Sequence, residues 1–209
     1  MVKANKTSYI QIFAWLLSLA VISTAFIAWG RDANWHILST GTYLLFPLFG
    51  LLAFSTLWSQ YIVVATREFF NVDRTALSNY FKVTGYLVLL FILLHPGLFA
   101  WQLWRDGKGL PPGSELHYVL PSLRGVVILG MINLTILLLF ELRRVFAKKS
   151  WWRYMTYLVD LVMLSIFYHS LRLGTLLQHG WLRAVWLFYG ATLVMALGYI
   201  YSKRLSAQK

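Results

Sequence analysis

The chain has 209 residues, of which 59% are hydrophobic and only 12% are charged, and its mean hydropathy is +0.63. This composition excludes a soluble globular domain of that length. The net charge is +12, but the basic residues lie in the turns between apolar runs instead of forming a patch, so no nucleic-acid partner is expected. The absence of cysteine excludes disulfides, cysteine-ligated iron–sulfur clusters and covalent c-type haem attachment.

Apolar runs bounded by charged residues predict six membrane spans. Each run satisfies its backbone hydrogen bonds internally, which favours helices over a barrel, and most approach or exceed the roughly 20 residues that a bilayer requires. The prediction is therefore an all-α integral membrane six-helix bundle, formed by a single domain over residues 1–209 in contact with the lipid bilayer. The spans are residues 8–29, 37–66, 83–104, 125–140, 154–171 and 184–202.

The distribution of basic residues between the two ends of these spans predicts the orientation. Of the 19 Lys and Arg residues, 13 lie on the side of the N-terminus. Because Lys and Arg accumulate in cytoplasmic loops, both termini are expected in the cytoplasm of a multi-pass protein of the cell membrane. The other side carries Arg31, Arg105, Lys108, Arg124, Arg172 and Arg183.

Two histidines lie at matching depth in the third and fifth spans. His95 follows Lys82 by 13 residues and His169 follows Arg153 by 16, which places them about 20 and 24 Å above the inner charges. Two imidazoles at equal height on parallel helices could ligate a b-type haem. The alternative is that each histidine only hydrogen-bonds a neighbouring helix, although intramembrane ionisable groups are uncommon and often functional.

Other polar residues near these histidines are weaker candidates. Arg172, one turn outward of His169, and Arg124 at the same level could pair with a haem propionate or could only extend to the interface. His179 could bind a second metal or could be a solvated interfacial residue. Asp160 lies about 13 Å inward of His169 and predicts a proton path or an ion pair, with Lys82 or Arg153 as partner.

The run TGYLVLLFILLHP around His95 and the run YHSLRLGTLLQHGWLR around His169 resemble the third and fifth helices of the ferric reductase-like transmembrane domain family. This family includes the membrane parts of NADPH oxidases and ferric reductases and the haem subunit of the periplasmic methionine sulfoxide reductase system. The resemblance implies six helices with b-type haem between the third and the fifth. It also implies that His95 and His169 are the axial ligands and that Gly85, ten residues before His95, belongs to the cofactor-binding helix.

The sequence departs from that family at the inner end. Members that stack two haems have a further histidine 13 or 14 residues before each of these two, and here Phe81 and Thr156 occupy those positions. The resemblance thus implies one outer haem b in an oxidoreductase component without its own flavin or nicotinamide domain. Its electrons would come from a partner protein, a quinol or an outer donor. The alternative function is a haem-free transporter or assembly subunit in which the histidines and Asp160 line a path for protons or a solute.

Overall fold

The computed structural model describes residues 2–36, 41–142, 146 and 148–206. The protein is 85% helical, and the described residues contain no strand. Within the described residues, four short 3-10 turns lie between the long helices, at Arg74–Leu77, Ser114–His117, Pro121–Leu123 and Thr175–Leu177. The long helices are α1 (Val2–Asp32), α2 (Thr42–Phe69), α3 (Ser78–Arg105), α4 (Arg124–Glu141), α5 (Trp152–Leu173) and α6 (Gly180–Ser206).

All six helices are long and apolar enough to cross a membrane, which confirms the predicted number of spans. The chain is thus a multi-pass helical membrane protein. The second helix begins at Thr42, later than the predicted start of that span, and residues 37–40 lie outside the described part of the chain. If each helix crosses once, α6 ends on the side on which α1 begins.

Helix α2 is the centre of the packing. It contacts α1, α3 and α6 along much of its length, whereas α4 has α5 as its main neighbour. Aromatic side chains fill the contact between α2 and α6: Trp58 stacks on Tyr189 with ring centroids 4.2 Å apart, and Phe54 lies 4.8 Å from Trp186. Burial of such large rings provides much of the contact area between helices in this core.

Hydrogen bonds between side chains join helices that lipid alone would not drive together. Ser18 Oγ of α1 lies 3.0 Å from Ser59 Oγ of α2 and 2.9 Å from Tyr80 Oη of α3. In the other half of the molecule, Asn133 Nδ2 of α4 donates to Ser165 Oγ of α5 at 2.9 Å. These bonds fix the rotation of each helix about its axis and so determine which residues face the interior.

The Pro- and Gly-rich connection between α3 and α4 packs on the ends of α2 and α3. Its Tyr118 stacks on Tyr43 with centroids 5.3 Å apart and meets Phe99 edge-on at 4.8 Å. The rings of Phe46 and Phe99 are also 4.8 Å apart. This aromatic cluster covers the helix ends next to His95.

Candidate functional site

His95 is bound by the neighbouring helix α2. Its Nδ1 lies 2.7 Å from the main-chain oxygen of Phe46, and the Phe46 ring lies 5.5 Å from the imidazole. The ring also packs against Gly50: a Cβ added there would lie 2.9 Å from Nδ1, closer than side chains pack. The imidazole therefore fits only because residue 50 has no side chain.

His169 is held in the same manner by α4. Its Nδ1 lies 2.9 Å from the main-chain oxygen of Val126, and a Cβ added to Gly130 would lie 2.8 Å from that nitrogen. The two glycines follow the two acceptor residues by the same interval of four. In an α-helix the carbonyl of residue i points toward residue i+4, so a glycine at i+4 opens the side of that carbonyl to an imidazole from another helix.

These bonds assign the tautomer of both imidazoles. A main-chain oxygen can only accept a hydrogen bond, so Nδ1 carries the hydrogen and Nε2 retains its lone pair. No protein group bonds Nε2 of His95 or of His169 within the part of the chain that the structure describes. An Nδ1–H donated to a backbone carbonyl with Nε2 available is the arrangement typical of histidines that ligate metals.

The two imidazoles come from helices with different main neighbours, α2 for α3 and α4 for α5. Both histidine side chains are half-buried. The described residues contain no group of three or more His, Asp or Glu that could hold a metal ion, so the donor set offered here is two imidazoles. Two neutral imidazoles from separate helices suit the axial positions of a haem.

Arg172, Arg124 and His179 lie near helix ends or in the turn before α6. Arg172 is exposed, and it makes no hydrogen bond or ion pair within the described part of the chain. Arg124 is also exposed, and its Nε donates to the main-chain oxygen of Leu116 at 3.1 Å. His179 is exposed in the turn before α6. His95 and His169 are thus each held by a main-chain oxygen of a neighbouring helix, whereas His179 lies at the surface.

Asp160 is the centre of a second polar group. Tyr61 of α2 donates its hydroxyl to Oδ1 at 2.7 Å, and Tyr201 of α6 donates to Oδ2 at 2.5 Å. The carboxyl group thus joins three helices. The expectation that Lys82 or Arg153 would be its partner is wrong: the guanidinium of Arg153 contacts the neighbouring Tyr154, with Nη2 2.9 Å from the hydroxyl oxygen.

Asp160 and Tyr61 line a cavity of about 300 Å³ between the helices, near the residues at which α4 and α6 end. Gly85 also lines it, so this glycine lies below His95 and not beside its imidazole. The walls further include Phe81 and Thr156, the two positions at which the two-haem pattern has histidines. The space beside Phe81 and Thr156 is therefore open in this chain, and it is bordered by the carboxyl group of Asp160, the phenol of Tyr61 and the ring of Phe81.

Several residues of this site were not predicted from the sequence. Phe46 and Val126 act through main-chain oxygens, which every residue has, so the sequence does not distinguish them. Gly50 and Gly130 could have been noticed, because a glycine inside a helix is destabilising and often marks the close approach of another group. Tyr61 and Tyr201 resemble the other tyrosines of the chain until the helices are packed.

The fold and the site define a six-helix membrane protein with two histidines that each bond a neighbouring helix, and with a cavity lined in part by polar groups. No protein-family description, curated protein or solved structure matches the chain.

Proposed function

We propose that the chain is a membrane cytochrome with one b-type haem in its outer half, similar to the ferric reductase-like transmembrane domains, with His95 and His169 as axial ligands. The observation that supports this proposal most is the hydrogen-bonding pattern that the two imidazoles share. Each donates Nδ1–H to a main-chain oxygen and keeps the Nε2 lone pair for another partner.

The protein supplies ligands, orientation and surroundings. Phe46 and Val126 hold the two imidazoles in one tautomer, and Gly50 and Gly130 allow them to approach. Arg172, exposed one turn outward of His169, is positioned to pair with a propionate, and Arg124 offers a second guanidinium at the same level. When bound, haem iron supplies one-electron redox chemistry, whose potential depends on ligands, hydrogen bonds and burial.

The proposed activity is electron transfer across the membrane or at its outer face, as a component of an oxidoreductase. The excess of Lys and Arg on the side of the termini favours an orientation with both termini in the cytoplasm and the histidines toward the outside of the cell membrane. The partner is a redox protein or a quinone.

The test is the absorption spectrum of protein purified from haem-supplemented cells. We expect a Soret band that shifts on reduction with dithionite and a stoichiometry of one haem per chain. Colourless protein that is correctly folded by circular dichroism would contradict the proposal.

The hydrogen-bonded group around Asp160 favours a second candidate function. A carboxyl group with two phenols inside a membrane domain is suited to passing protons, so a haem-free transporter or assembly subunit would use this group and the histidines as its path. In that protein, replacing Asp160 would abolish transport, and haem would never copurify.

A further inference from the structure

We infer that the inner cavity binds the ring of a lipid-soluble quinone or quinol, with Asp160, Tyr61 and Gln60 as its hydrogen-bonding wall. The inference deepens the proposed function, because it assigns a class of redox carrier to a defined site inward of the two histidines. The cavity itself does not depend on haem and is tested separately.

The size and place of the cavity limit what can bind there. Its volume of about 300 Å³ is at the lower end of the range for small-molecule sites, which is about 300 to 1,000 Å³. It lies among helices that are apolar enough to span a membrane and its wall is mostly apolar, and both features favour a lipid-soluble ligand. Most of the wall is formed by Leu, Ile and Val side chains together with the ring of Phe81.

The polar part of the wall is confined to a few groups. Gln60 donates Nε2 to Thr84 Oγ1 at 2.9 Å, so its Oε1 remains available as an acceptor. Each oxygen of Asp160 accepts one phenol and has a further lone pair. Thr156, on the same helix as Asp160, adds a hydroxyl that can donate or accept.

This combination fits a hydroxylated or carbonyl-bearing ring better than the other lipid-soluble candidates. A phospholipid acyl chain has no group that can hydrogen-bond to a carboxyl, amide or hydroxyl group. An acyl chain in the cavity would therefore leave hydrogen bonds of these wall groups unmade. A small anion is disfavoured because Asp160 and Glu141 line the cavity and Arg204 is the one cation in its described wall. A quinol donates to the acceptors of the wall, and a quinone accepts from the hydroxyl group of Thr156, because Tyr61 already donates its hydrogen to Asp160.

Gly85 offers a direct way to fill the cavity. No described atom lies within 4 Å of a Cβ built on this residue, and the residue lines the cavity, so a side chain added there enters the open space without a backbone clash. Gly97 on the same helix is the matched control: it has equally free space, is exposed and does not line the cavity.

The experiment is isothermal titration of decylubiquinone into the full chain in phosphatidylcholine nanodiscs, with empty nanodiscs as the blank. We expect saturable binding of one quinone per chain, loss of that binding in Gly85→Phe, and unchanged binding in Gly97→Phe. Asp160→Asn should bind about tenfold more weakly, since one strong acceptor becomes a weaker one. Thr156→Phe fills the cavity from α5 and replaces Gly85→Phe if that variant does not fold.

Binding that does not saturate above the blank would overturn the inference, as would folded Gly85→Phe or Thr156→Phe protein that binds like the wild type. The haem spectrum of the same samples separates the two proposals. Quinone binding by haem-free protein would leave the cavity assignment standing and remove the cytochrome. A normal haem spectrum without quinone binding would do the reverse.

Discussion

Nδ1 of His95 lies 2.7 Å from the main-chain oxygen of Phe46 on the adjacent helix α2. This bond holds the imidazole in place at its Nδ1 edge. It also determines that Nδ1 carries the hydrogen, so that Nε2 keeps a lone pair. The same relationship recurs between His169 and Val126. Because both acceptors are backbone atoms, replacing the side chains of Phe46 or Val126 would not remove them, whereas the glycines beside them can be changed.

The first prediction concerns Gly130→Ala. A Cβ at this position would press on the His169 ring, which must then move away from Val126 or force α4 and α5 apart. Overpacking of this kind costs about 1 to 3 kcal/mol. We expect a lower ratio of Soret to protein absorbance and a lower melting temperature by differential scanning fluorimetry. Gly50→Ala should affect His95 in the same direction.

Gly125→Ala is the control for this pair of variants, because Gly125 lies on α4 as well and a Cβ there meets nothing among the described atoms within 4 Å. It should leave the spectrum and the melting temperature unchanged. A Gly130→Ala protein with full haem content and wild-type stability would show that His169 is not held in the position described.

The second prediction concerns the hydrogen bonds to Asp160. Tyr61→Phe and Tyr201→Phe each remove one hydroxyl donor from a carboxyl group inside the bundle. Leaving an oxygen of the buried Asp160 carboxyl group without its donor lowers the free energy of unfolding by about 1 to 3 kcal/mol. Both variants should therefore melt at lower temperature in detergent. Tyr86→Phe is the control, since Tyr86 is exposed on the surface of α3. Equal melting temperatures for all three variants and the wild type would exclude a structural role for the group.

The third prediction concerns orientation, which the lack of native cysteine makes straightforward to measure. Ser122→Cys lies in the connection between α3 and α4, and Ser150→Cys lies between α4 and α5; both serines are exposed. The distribution of Lys and Arg predicts that the first position lies outside and the second in the cytoplasm. A membrane-impermeant maleimide should therefore label Ser122→Cys in intact cells and Ser150→Cys only after lysis. The opposite pattern would invert the proposed topology.

The sequence was sufficient to predict the helices, because hydropathy and charge determine where a chain can cross a bilayer. It also predicted that His95 and His169 lie at similar depth, since rise per residue converts sequence position into height. It could not predict the contacts of those histidines. Whether a histidine faces Phe46 or lipid depends on the rotation of each helix, which is determined by packing and by bonds such as that between Asn133 and Ser165.

Asp160 illustrates the same limit. A carboxyl group inside a membrane span is expected to pair with a cation, and the sequence offers Lys82 and Arg153 near the ends of their helices. The actual partners are the neutral donors Tyr61 and Tyr201 on α2 and α6, at distances of 99 and 41 residues along the chain. Only the arrangement of three helices brings them together, and no local pattern in the sequence records it.

The most direct test of the central claim is the haem content of the wild type, His95→Ala, His169→Ala and His179→Ala, each measured as pyridine haemochrome per chain. Ligation by His95 and His169 predicts one haem in the wild type and in His179→Ala, where the exposed histidine is not a ligand. It predicts loss of haem, or of its low-spin spectrum, in each of the other two variants. Folded His95→Ala and His169→Ala proteins that both retain the wild-type haem spectrum would contradict it.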